Sequence, residues 1–443
     1  MRYYKSFFIV FIIFVVGCFS CEKSGQFSYL NPSKAVIYEE TQILKTYPFS
    51  DPNPIPNIGR IYPYFKFDGY TNHAIDQSWK MVVMENEYLK VFISPEIGGK
   101  IWGAIEKSTG KEFLYKNEVV KFRNIAMRGP WTSGGLEFNF GDIGHAPSCS
   151  TPVDYSLKKN ADGSVSCIVG AYDLPSRTRW NVKITLPKDK AFLETTVSWF
   201  NLTDEYTSYY HWMNAAAKAS GNLEFFYPGK DFIGHGGEPS SWPISSGRDL
   251  SKYENNDFGG YKSYHVVNAY ADFFGGYWKE DDFGFGHHTD YDVKPGKKLW
   301  IWGLSQQGMI WEDLLTDNDG QYIEYQSGKL FNQAAEQSTY SPFKHRSFGP
   351  HVADLMKEIW FPLKSTKGMV AASKYAVLNV EEERDSVDIY LSALQHLKDT
   401  IYMQIGNKKI NYSVDLSPLE ITKWTLAKPE DAFFKIKLGP DLL

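Results

Sequence analysis

The sequence predicts a mostly β protein organised around a large antiparallel β-sandwich, and three observations carry that reading. Short runs that alternate apolar and polar residues recur from residue 79 to about residue 370, among them SVSCIVGAY, WNVKITL, FLETTVSWFN, KLWIWGL and QYIEYQSG. Alternation of period two places successive side chains on opposite faces of a strand. Gly, Pro, Asn and Asp punctuate these runs as turns. No long amphipathic helical pattern interrupts them, which favours two packed antiparallel sheets. A chain of 443 residues is long enough to bury such a core. Its aromatic content of 16%, with 13 Trp, 29 Tyr and 30 Phe, suits strand cores first and platforms for sugar rings second.

Residues 1–20 read as a targeting segment. Arg2 and Lys5 precede an apolar run at residues 7–16 that is too short to span a bilayer as a helix. Val15-Val16-Gly17-Cys18 reads as a lipobox, which makes Cys18 the lipidated residue, with Cys21 a second candidate. The expectation is a bacterial lipoprotein on a periplasm-facing or cell-surface membrane. The chain then divides into a signal peptide and lipobox (1–21), a tether and extended N-terminal wrap (22–78), the sandwich (79–370) and a small C-terminal β module (371–443). Dense proline in YPFSDPNPIPNIGRIYPYF favours extended backbone in the wrap. The polar residues 239–260 read as a surface loop. Cys149 and Cys167 remain in the body, where an oxidising compartment permits a disulfide. The turn at residues 160–163 would set Ser156, rather than Cys149, opposite Cys167, which argues against simple cross-strand pairing.

The stretch RGPWTSGGLEFNFGDIGHAPSCSTPVDY, residues 128–155, concentrates chemistry. Glu137 and Asn139 alternate with Leu136, Phe138 and Phe140, so a strand sends a carboxylate and an amide to one face and three apolar groups to the other. Gly134 and Gly135 admit a close backbone approach. Gly141, Gly144 and Pro147 then leave Asp142 and His145 on a loop. Arg128 offers a hydrogen-bonding fork, while Trp131, Trp212 and Tyr155 offer stacking surfaces. A net charge of −5 leaves no basic footprint for nucleic acid, and no phosphate-binding glycine loop is present.

The strings PEIGG, RGPWTSGGLEFNF, YHWMN, YIEYQSGKLFNQ and SPFKHRSF make the chain resemble the galactose mutarotase superfamily, and more closely a bacterial mutarotase-like domain family of unknown function. The resemblance covers roughly residues 35–443. It implies a β-supersandwich with a sugar site on a concave sheet. It also implies that His211 is the acid and Glu324 the base of an aldose 1-epimerase, with Asn214 beside the former and Tyr322 and Gln326 beside the latter. Asn124 and Arg128 stand further apart here than the Asn-Arg pair of that family.

Two carboxyl groups would instead serve glycoside hydrolysis, about 5–5.5 Å apart for retention or about 6.5–9.5 Å for inversion. Glu137 and Glu324 form the first pair, with Glu312, Asp313 and Glu358 in reserve. A glycoside hydrolase in glycan utilisation is thus the leading expectation, and an aldose epimerase or a non-catalytic glycan-binding lipoprotein the alternatives. The partners are an oligosaccharide or monosaccharide and, through the lipid, a membrane. No cofactor is expected. Nor is a metal, since His287 and His288 are adjacent on a strand and point to opposite faces, and residues 317–320 read as a hairpin turn.

Overall fold

Two sheets, antiparallel apart from one parallel pair, face each other across an apolar core in the computed structural model. It describes residues 34–49, 53–56, 65–66, 69–124, 129–142, 144–331, 346–405, 408–428, 434–438 and 441–442. The leader with Cys18 and Cys21, and the Arg128 side chain, lie outside the described residues.

The larger sheet has 13 strands among the described residues. Its middle runs in the order Lys262–Val267, Gly296–Ile301, Tyr322–Gly328, Trp212–Lys218, Leu136–Asn139, Lys100–Glu106, Leu89–Ser94, Ile75–Glu85 and Val36–Tyr47. The second sheet has eight strands among the described residues, with Leu193–Asn201, Ala353–Lys364 and Phe283–His288 at its centre. Alternation decides what each face carries. Leu136, Phe138, Met213, Ala215, Leu299, Ile323 and Tyr325 point inward against Val182, Ile184, Val197, Trp199, Phe285 and Trp360 of the second sheet. Burial of each such side chain stabilises by about 1.5–3 kcal/mol. A one-residue slip would turn Glu137 and Glu324 into this core, so the apolar face fixes the register of the polar one.

The N-terminal segment enters the sheet rather than wrapping it. Val36–Tyr47 pairs with Ile75–Glu85 from Val36 opposite Glu85 to Thr46 opposite Ile75. Its sequence VIYEETQILKTY lacks proline, and every other residue along its middle is exposed. Residues 239–260 also differ from a surface loop: Trp242, Leu250 and Tyr253 join the main core. Beyond residue 370, two four-stranded sheets enclose a separate cluster that includes Ala376, Val387, Ile389, Leu391, Ile401 and Met403. Leu157, not Ser156, lies opposite Cys167, and Cys149 and Cys167 are buried thiols not joined by a disulfide. Among the described residues no helix is long and apolar enough to cross a membrane.

Behind the large sheet sits a buried ionic cluster. Glu358 accepts from Lys294 Nζ at 2.8 Å, from His287 Nε2 at 3.0 Å and from the Ser327 hydroxyl. Glu358, a reserve carboxyl from the sequence, is instead bound within the core. It reaches from the second sheet to the strand that carries Glu324 and Gln326 on its opposite face.

Gly135 shows how tightly the polar face is built. Its φ is +68°, and a Cβ there would stand 2.0 Å from the Ile101 carbonyl oxygen. Gly135→Ala is expected to lower stability by at least about 2 kcal/mol, from left-handed strain and displacement of the neighbouring strand. A thermal melt unchanged from wild type would contradict this.

Candidate functional site

The outward face of the large sheet carries two cross-strand rows. In the first, Glu137 pairs with Asn214, Asn214 with Gln326, Gln326 with Lys298 and Lys298 with His265. In the second, Ala216 pairs with Glu324, Glu324 with Trp300 and Trp300 with Ser263. Sequence alternation alone puts these groups on one face, because their neighbours Met213, Ala215, Ile323, Tyr325 and Leu299 are the ones buried inward. Ala216 and Gly135 keep the floor low between Glu137 and Glu324.

Glu137 is 3% exposed and fully engaged. Trp131 Nε1 donates to Oε2 at 2.7 Å, and His145 Nδ1 lies 2.6 Å from Oε1. Burial alone would raise the carboxyl, but His145, then Lys100, hold it below the usual carboxylate range. An ionised Glu137 takes the proton-bearing Nδ1 of His145 and leaves Nε2 as the ring nitrogen open to a ligand. The loop is fixed for this purpose. Ala146 N donates to Asn139 Oδ1 at 2.7 Å, Trp212 Nε1 donates to the Gly144 carbonyl at 2.9 Å, and the Trp212 ring meets His145 edge-on at 4.9 Å.

Glu324 is 4% exposed and has a different environment. Gln326 Nε2 donates to its Oε2 at 2.7 Å. Burial, reinforced by the Glu137 charge, raises its pKa despite the opposing pull of His145 and Lys298. Two carboxyls on one face are thus pushed in opposite directions, the pattern by which proteins assign an acid and a base.

Lys100 and Lys298 add two buried ammonium groups. Lys100 Nζ donates to the Thr132 and Ser133 carbonyls at 3.1 and 3.3 Å, and burial, partly offset by Glu137, lowers its pKa to about 8. Lys298 Nζ is buried without a hydrogen-bond partner, as are Asn214 Oδ1, Trp300 Nε1 and Ser263 Oγ on the same face. Buried polar atoms are satisfied in more than about 90% of cases, so their concentration here marks a surface built for a polar ligand. Aromatic rings wall it: Trp131, Trp302, Tyr115 and Tyr322 cluster over Ala216, and Tyr115 stacks on Tyr322 at 5.6 Å. Tyr261 stacks on Trp300 at 4.4 Å, beside a cavity of about 750 Å³ lined by residues that include His235, Arg248, Phe258, Tyr261 and Ser263.

The structure gathers Glu137, Glu324, Trp131, Asn139, His145, Trp212, Asn214, Tyr322 and Gln326 on or around this face, and Asp142 is buried in the same loop. Two expected members are elsewhere. Tyr155 lies on Asp154–Lys159 of the second sheet, where its hydroxyl donates to Glu39 at 2.6 Å and accepts from Lys80 at 3.3 Å. His211 faces the core between the sheets, stacked on Phe140 at 4.5 Å and 6.3 Å from Trp199, with Nδ1 on the Asn139 carbonyl at 2.9 Å. Burial, then Lys294, pushes its pKa well below the ordinary imidazole value, so it is a neutral core ring. Its alternation against Trp212 turns it from the Glu324 face, and the histidine beside the carboxylates is His145. Lys298 went unrecognised from sequence, although KLWIWGL places it in phase with Trp300 and Trp302. Of the expected non-ligands, His287 binds Glu358, and Asp317 caps the short helix Ile310–Thr316 in a left-handed conformation while pairing with Lys45 and Lys121. Among the described residues no group of three or more His, Cys, Asp or Glu is placed to hold a metal ion.

Residues 56–363 match the family described as "Domain of unknown function (DUF5107)", and the chain belongs to it. Among solved structures, a TPR-domain containing protein from Parabacteroides distasonis is 24% identical with a TM-score of 0.66, over 74% of this chain and 55% of that one. The present chain therefore spans about half of that protein's length. Galactose mutarotase-like proteins from Clostridium acetobutylicum (10% identity, TM-score 0.45, 65% of this chain and 96% of that) and Lactobacillus casei (12%, 0.46, 64% and 99%) are also similar. The fold is mostly β, with its sheets antiparallel apart from one pair, as the sequence predicts.

Proposed function

We propose that this member of the DUF5107 family is an extracytoplasmic glycoside hydrolase, tethered through lipid at Cys18, that cleaves a glycosidic bond with Glu324 as acid and the Glu137–His145 pair as base. The observation that carries this reading is the pair of buried carboxyls on one sheet face, one bound to an imidazole and an indole, the other held by a single amide. In the reaction Glu324 gives its proton to the glycosidic oxygen as the bond to the anomeric carbon breaks. His145 Nε2 takes a proton from the water that attacks that carbon, and Glu137 stabilises the imidazolium formed. Glu137 and Glu324 stand on strands separated by Trp212–Lys218, two ladder spacings of about 4.8 Å, and are offset by two residues along the strand direction. That separation leaves room for a water, which favours inversion over a covalent intermediate needing carboxyls about 5 Å apart.

A proton NMR time course of the anomeric region tests the reading, with the full chain, a panel of plant and host oligosaccharides, and freshly dissolved monosaccharides. New reducing-end signals are expected, the first-formed anomer being opposite to the bond cleaved. Faster equilibration of α and β signals without cleavage would instead make Glu324 and His145 the acid–base pair of an aldose epimerase. Sugar binding with neither change would leave a glycan-binding lipoprotein.

A further inference from the structure

We propose that Lys298, with Trp300 and Ser263, forms an anion site for the carboxylate of a hexuronic acid unit, so that the ligand of this face is an acidic glycan. The inference rests on the reading of this face as a sugar site and adds the class of sugar.

Three donors support it, and none is spent within the described protein. Lys298 is 1% exposed, and its ammonium has no hydrogen-bond partner. Trp300 Nε1 and Ser263 Oγ, from the same strand and its neighbour, are also buried without partners. A buried ammonium left unpaired is strongly destabilising, so its persistence on a ligand-facing surface points to an anion that arrives from outside. Lys100 provides the contrast, because two backbone carbonyls accept from its ammonium, whereas that of Lys298 has no such partner.

Geometry favours a single carboxylate. The Lys298 ammonium stands 5.1 Å from the centroid of the Trp300 ring, which stacks on Tyr261 at 4.4 Å and meets His235 edge-on at 5.6 Å. A pyranose against this aromatic group brings a ring substituent to Lys298. One cation and two neutral donors match a monoanion better than a doubly charged phosphate, which draws several cations. Charged and titratable neighbours are Glu324 on the adjoining strand, and His265 and His235 on the other side; burial depresses both histidines, so neither competes as a cation. Burial also lowers Lys298, to about 7, against the pull of Glu324. Carboxylate binding would restore its charge.

Binding decides the matter without requiring turnover. The full chain would be titrated calorimetrically with D-glucuronate, D-galacturonate and D-mannuronate oligomers, and with their carboxyl-reduced neutral counterparts. At least one uronate series is expected to bind roughly 10- to 100-fold tighter than its neutral partner, the range for one hydrogen-bonded charge. Lys298→Met should erase that preference, the ratio of uronate to neutral-sugar affinity falling towards one, and Trp300→Phe, which keeps a ring but removes the indole N–H, should reduce it. Neutral sugars binding as well as uronates in wild type would overturn the proposal. So would a Lys298→Met protein that folds, judged by its melting curve, yet keeps the preference. Uronate binding with no cleavage would leave this site standing and refute the hydrolase reading, whereas cleavage of neutral glycans alone would do the reverse.

Discussion

Glu324→Gln is expected to lower turnover by about 10²- to 10⁴-fold while leaving glycan affinity near wild type, because the amide keeps the shape and the contact with Gln326 but carries no proton to donate. The effect should depend on the leaving group. An aryl glycoside whose phenolate departs unaided would lose far less than an oligosaccharide. The pH profile gives a second reading with a definite sign. Burial raises the Glu324 pKa, and the acid works only when protonated, so activity falls as pH rises through that elevated value. Glu137 is held below the usual range, so it stays ionised and keeps His145 oriented throughout the range in which Glu324 loses its proton. In the Gln variant the residual rate should lose its alkaline limb, and a variant with full activity or an unchanged alkaline limb would remove Glu324 from the acid role.

Much of this arrangement was legible because strands write their two faces directly into sequence. Glu137 and Asn139 against Leu136 and Phe138, or Glu324 and Gln326 against Ile323 and Tyr325, can be sorted by alternation alone, and the apolar set fixes the polar one. Alternation does not extend through irregular backbone. His211 stands just before the Trp212–Lys218 strand, where resemblance outweighed phase, and the structure turns it inward onto Phe140. His145 lies eight positions after Glu137, with a loop between them, and only the bonds from Ala146 to Asn139 and Trp212 to Gly144 bring it back over that carboxylate. Such side-chain closures have no period to read. Lys298 was missed for another reason: lysine in a strand is expected at a solvated surface, and nothing local announces that Trp300, Tyr261 and the adjoining strands will bury it. Tyr155 illustrates the converse, since a motif contiguous in sequence divides between two sheets at the turn after residue 150.

Glu358→Gln should be the most destabilising conservative change in the core, at about 3–5 kcal/mol, since it leaves Lys294 charged, buried and without a counter-ion. The cluster is asymmetric. Burial would raise Glu358, but Lys294 and His287 hold it well below the carboxylate range, and it accepts three hydrogen bonds; Lys294 is lowered by burial despite the same contact. The carboxylate is thus the satisfied member and the ammonium the exposed liability once it is gone. Removing both charges in Glu358→Gln/Lys294→Met should recover most of the loss, and a double-mutant cycle by denaturant unfolding measures the coupling. Acid tests the same cluster. Glu358 has a folded pKa below its unfolded value of about 4.3, so its stabilisation is present above that pH and lost as pH falls towards the folded value. His287 is lowered to about 4 from an unfolded value of about 6.5, so the unfolded chain takes its proton first and stability declines over that interval. Because Ser327 ties Glu358 to the strand whose other face carries Glu324 and Gln326, destabilisation from behind should also loosen the acid. Turnover in Glu358→Gln is therefore expected to fall even at temperatures where the protein remains folded, and a folded variant with wild-type turnover would show that the cluster supports the core without positioning the site.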